Sequence, residues 1–135
     1  PGIASIYYGD EIGLDGGDEP NNRESFPWND DSNWNIPLQE ITSSLMNLKN
    51  SNSILKYGTF ELIPSTQGVV IFRRVLQKES LICIFNRDSL VEDFKISSQA
   101  HSVEKIYGEF DIKIENKEIL ITKLLPNTGI IIHEK

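Results

Sequence analysis

One cysteine, Cys83, is all the thiol chemistry this 135-residue sequence holds. No intrachain disulfide can form, and no cysteine-rich zinc site exists. Cys83 lies in the apolar run "LICIF" and reads as a buried, inert thiol. Positive charge is scarce as well. Thirteen Lys and Arg stand against twenty Asp and Glu, for a formal net charge of -7. That balance argues against a nucleic-acid backbone, which asks for a basic stripe, and against anionic membranes. It is compatible with a neutral ligand. No apolar stretch reaches the roughly 20 residues that a membrane span needs. There is no signal peptide. The sequence opens on Pro1 rather than Met, however, and "PGIASIYYG" reads as the middle of something. A fragment is therefore expected, with any targeting segment outside it.

The length and an apolar share of 39% suit one domain, or a small domain plus a piece of another. The chain divides in two. Ile3 to Tyr8 is a short, mostly apolar run and reads as one buried strand. Gly9 to Asn35 has almost no periodicity and is dominated by turn formers, and a loop that long inside a domain is usually functional. In "LQEITSSLMNLKN", Leu38, Ile41, Leu45 and Leu48 recur at three- and four-residue steps. This predicts an amphipathic helix over Leu38–Lys49, with Pro37 in its first turn and Asn35 or Ile36 at the cap. "NSNS" ends it.

From about Tyr57 the period changes to two. "GTFELI", "GVVIFRRVL", "SLICIFNR", "VEDFKI", "VEKIYG", "FDIKIEN", "EILITKL" and "TGIIIHE" are strand-like, and "IENKEI" reads as a tight hairpin. Many short strands at close spacing predict an antiparallel sandwich or barrel. The front, by contrast, is one βα unit without neighbours, which cannot close a sheet or a barrel. Either it belongs to a larger domain, or it decorates the sandwich.

The residues carry a resemblance. "PGIASIYYGDEIGLDGGDEPNNRESFPW" is similar to a stretch of the α-amylase family of glycoside hydrolases. The family pattern is roughly P-G-x-P-x-I-Y-Y-G-D-E-x-G, a glycine pair, D-P-x-x-R and a Pro-Trp-like element. The branch most resembled is that of cyclomaltodextrinase, neopullulanase and maltogenic amylase. The segment "LQEITSSLMNLKNSNSILKYGTFELI" resembles the family's junction between barrel and C-terminal domain. The resemblance implies a mainly β chain. Residues 1–56 would be a remnant of the last βα unit of a (β/α)₈ barrel, and residues 57–135 a C-terminal antiparallel β-sandwich of Greek-key type. The loop would then lie on the face where such barrels keep their active sites.

Carried over residue by residue, the resemblance assigns no catalytic residue, because the family's catalytic carboxylates sit on earlier strands. It implies substrate-binding roles for Arg23, the arginine of D-P-x-x-R, and for Glu19, which stands where the family has aspartate. Asp18 is the alternative acid. A carboxylate accepts from vicinal sugar hydroxyls while a guanidinium donates in a fixed fork. The competing reading is a salt bridge internal to the loop. Asp10 and Glu11 read as loop-shaping, Gly16 and Gly17 as turn formers, and Trp28 and Trp34 as packing rather than stacking platforms. His101 and His133 read as surface positions. Calcium binding by "DGGDEPNN" is disfavoured, because the Asp-x-Asp-x-Asp-Gly spacing is missing. No metal site and no cofactor is read.

The implied parent is an enzyme that hydrolyses α-1,4 or α-1,6 bonds in an α-glucan, maltodextrin, cyclodextrin or pullulan, and the fragment itself would be inactive. This branch of the family favours the cytoplasm. The rival is a non-catalytic β-sandwich module that binds carbohydrate or holds an oligomer together. Self-association through an exposed barrel remnant is a further partner reading.

Overall fold

The computed structural model describes residues 2–135 apart from Glu24 and Gln67, and of Asn21 only the backbone. Pro1 and Glu24, both in the string quoted above, lie outside the described residues. The chain forms two compact units, Pro1–Ser51 and Asn52–Lys135.

The second unit is strand-rich and begins with a short helix, α2 (Ser53–Tyr57). Asn52 caps it, its side-chain oxygen accepting from the Ile54 and Leu55 amides at 2.9 and 3.1 Å. Among the described residues eight strands follow: β1 (Thr59–Ile63), β2 (Val69–Leu76), β3 (Glu79–Asn86), β4 (Val91–Ser97), β5 (Val103–Tyr107), β6 (Ile112–Glu115), β7 (Glu118–Leu124) and β8 (Thr128–Glu134). They are the eight segments whose alternation predicts strands. They form two antiparallel sheets, ordered β1-β2-β3-β8-β5 and β4-β7-β6. The non-consecutive neighbours β3/β8 and β4/β7 are what a Greek-key sandwich requires. The hairpin "IENKEI" joins β6 to β7, with Glu115 opposite Glu118. Asn116 and Lys117 both have positive φ, as a two-residue hairpin turn matched to strand twist demands.

The core follows from register. Ile71 pairs with Ile84 and Ile84 with Ile130, while Ile82 pairs with Ile132. These side chains share one face and meet Phe94, Ile96, Ile119, Ile121 and Leu124 of the smaller sheet. Each buried isoleucine contributes about 1.5–3 kcal/mol. Central strand β3 is buried on both faces, with Leu81, Ile82, Cys83 and Ile84 all at 2% exposure or less. Helix α2 packs on β2 and β3 and buries Ile54 and Leu55, so it belongs with the sandwich rather than with the segment before residue 57.

Cys83 is the inert thiol its surroundings predict. Burial pushes its pKa up to about 12, against a smaller opposing pull from Arg74. The thiolate needed for reaction is therefore scarce at neutral pH. Iodoacetamide is expected to leave Cys83 unmodified in the native protein and to alkylate it once urea unfolds the chain, as mass spectrometry would read. Rapid native alkylation would contradict the burial.

The first unit contains one long helix, α1 (Ile36–Ser51). The Asn35 side chain accepts from the Leu38 amide at 3.1 Å and caps it, which decides between the two cap positions, Asn35 and Ile36, that the sequence offers. None of the residues of α1 is fully buried, and Ile41 is 47% exposed. The expected buried strand over Ile3–Tyr8 is not formed: residues 2–7 are neither helix nor strand. Ile3 is 99% exposed and Tyr7 78%. A strand is defined by its partner, and none of the described strands pairs with this segment. Its backbone stays open to water, which costs less than burying unpaired amides.

Candidate functional site

The loop between Tyr8 and α1 is built on Gly9. Its φ of +75° is open to glycine, and a Cβ there would meet the Leu14 Cβ at 2.6 Å. Gly9 accepts from the Ile12 and Leu14 amides at 3.1 and 3.0 Å, so the chain turns over Asp10–Ile12. Ile12 is buried, and its carbonyl accepts from the Asn35 amide at 2.9 Å, tying the start of the loop to its end. Asp15 accepts from the Gly17 amide at 3.0 Å, which makes the glycine pair part of a side-chain-closed turn. Asp30 does the same for Ser32 at 3.3 Å.

A second turn at Asn21–Arg23 carries the predicted binding pair. The Arg23 Nη2 donates to Glu19 Oε1. Both side chains are well exposed, at 74% and 66%. Glu19 and Arg23 are thus brought together, while Asp18 is exposed and is not a member of the pair. At that exposure the bridge contributes at most about 1 kcal/mol to stability. The pair keeps free donors on the guanidinium and free lone pairs on the carboxylate.

Further along the loop, three aromatics pack together. Phe26 lies 4.5 Å from Trp28 and 5.6 Å from Trp34, ring centre to ring centre. Trp28 nonetheless remains 77% exposed. A shallow groove of about 350 Å³ runs beside it, lined by Tyr8, Glu11, Phe26, Thr42 and Met46 among others. Glu11 Oε2 and Trp34 Nε1 are buried without a hydrogen-bond partner among the described residues. Asp10 takes part in the turn through its backbone, its amide donating to the Tyr7 carbonyl at 2.9 Å and its carbonyl accepting from the Gly13 amide at 3.3 Å. Among the described residues no group of three or more His, Cys, Asp or Glu could hold a metal ion.

The sandwich carries the other polar concentration, and sequence reasoning missed it. Arg73 of β2 donates to both oxygens of Glu134 of β8, from Nε at 2.8 Å and from Nη2 at 3.2 Å. Arg73 also donates to the Ser97 carbonyl at 3.1 Å. Ser98 Oγ donates to the Glu134 carboxylate at 2.6 Å, and Ser80 Oγ donates to it as well. A cleft of about 700 Å³ opens here. With both oxygens engaged, Glu134 is a clamp between sheets and not a free acid or base. The sequence signal was present. Alternation puts Arg73 on the core face between Ile71 and Val75, where a charge needs a partner. His133, read as a surface position, is instead half-buried on β8. Its side chain is 14% exposed, and Nε2 lies 3.4 Å from Glu79 Oε2.

No protein-family model matches the chain. It is 38% identical over 121 residues to an amylopullulanase of Thermoanaerobacterium saccharolyticum, a match covering 89% of this chain and 9% of that protein. A cyclomaltodextrinase of a Bacillus species is 27% identical over 103 residues, 75% of this chain and 18% of the relative. The fold agrees with a solved debranching enzyme of Nostoc punctiforme, at a TM-score of 0.81 and 28% identity over 98% of this chain and 28% of that one. The chain matches the C-terminal region of α-amylase-family enzymes. It spans less than a quarter of the length of either curated relative. The mainly β, antiparallel sandwich is the architecture that the α-amylase resemblance implies.

Proposed function

We propose that this chain is the C-terminal part of an α-glucan-hydrolysing glycosidase. The substrates are maltodextrins, cyclodextrins or pullulan, cut at α-1,4 or α-1,6 bonds. In this reading the first unit, through Ser51, completes a catalytic barrel, and the unit Asn52–Lys135, which takes in helix α2, is its C-terminal sandwich domain. Cleavage is retaining and uses two carboxylates about 5–5.5 Å apart, both supplied by polypeptide outside this sequence. The chain contributes binding through the Arg23–Glu19 pair, with Asp18 beside it as the alternative acceptor. What carries the reading is the ordered string from Ile6 to Trp28, joined to 38% identity with an amylopullulanase across most of the chain.

The chemistry of the pair fits the role. An exposed guanidinium held by one carboxylate oxygen still offers donors to sugar hydroxyls, and the carboxylate still accepts. The contact is remote from the bond cleaved, so losing it should weaken binding more than it slows chemistry. In an enzyme that carries this chain, Arg23→Ala is expected to cost roughly 1.5–3 kcal/mol. That is about a 10- to 150-fold rise in KM on maltodextrins, with kcat little changed. Arg23→Lys keeps the charge but loses the fork, and should recover only part of the loss. Unaltered kinetics on long and short maltodextrins would make the pair a loop-internal salt bridge and nothing more.

A second reading has one observation in its favour. The unit Asn52–Lys135 has its own closed core, which suits a non-catalytic carbohydrate-binding or oligomerisation module. The polypeptide encoded ahead of Pro1 separates the two.

A further inference from the structure

We draw no further inference here: the strongest candidate, the outer apolar face of the five-stranded sheet where Phe60, Leu62, Val70 and Phe85 are exposed beside Phe72, carries none because nothing in the structure shows what covers it.

Discussion

Glu134→Ala is expected to lower the stability of the strand-rich unit by about 3–5 kcal/mol, the cost of breaking a buried ion pair by deleting one member. Glu134 is 6% exposed and binds three side chains at once, Arg73, Ser80 and Ser98. Removing it leaves the Arg73 guanidinium at the sheet interface with the Ser97 carbonyl and the distant, exposed Glu61 carboxylate at 3.8 Å. It also strips acceptors from two buried hydroxyls. The contacts come from β2, from β3, and from the chain just after β4, so the loss is felt in both sheets. Urea unfolding followed by circular dichroism reads the change as a lower midpoint. Ser80→Ala removes one donor and spares the ion pair, so its cost should be nearer 1 kcal/mol. A Glu134→Ala midpoint within experimental error of wild type would mean that the cluster adds nothing to stability.

Amide hydrogen exchange should separate the two units by orders of magnitude. Strand β3 pairs on both sides and is buried on both faces, so its amides at Ile82–Phe85 open only with the whole unit. With an unfolding free energy of about 5 kcal/mol or more, exchange there is slowed by at least roughly 10³-fold. The segment Ile6–Tyr8 belongs to no sheet, and its side chains are exposed. It should exchange near the rate of an open chain in a dilute monomer. Protection at Ile6–Tyr8 comparable to that of Ile82–Phe85 would mean that the segment is part of a folded domain in this chain and not a remnant of another. Protection that appeared only at high protein concentration would instead support self-association through this segment.

The sandwich was legible because its signals are local and repeated. Alternation such as Ile112/Ile114 against Lys113/Glu115 matches the pleat, and Asn116-Lys117 matches the turn. Helix α1 was legible for the same reason, its cap at Asn35 and its period of three and four being read within one segment. Pairing is a different matter. Ile3–Tyr8 has the composition of a buried strand, yet composition does not supply a neighbour, and the strand does not form. The Arg73–Glu134 clamp joins residues 61 apart in sequence, and only the sheet register brings them together. Helix α2 was hidden behind "NSNS", which reads as an ending. Asn52 within that run is also a cap, and the chain turns back into helix over Ser53–Tyr57. At the loop, the residue types and the Glu19–Arg23 spacing were legible. The aromatic packing of Phe26 on Trp28 and Trp34 was legible only as a tendency, since ring geometry depends on a loop without period.

Under the proposed function, this chain completes a glucan-cleaving catalytic domain whose carboxylates lie elsewhere in the same polypeptide. Sequencing the coding region immediately upstream of Pro1 tests it most directly. The expected result is continuous coding for barrel strands with an F-x-x-N-H-D-like string shortly before Pro1. An unrelated linker there, or a start codon adjoining Pro1, would contradict it and leave the sandwich as a module without a catalytic partner.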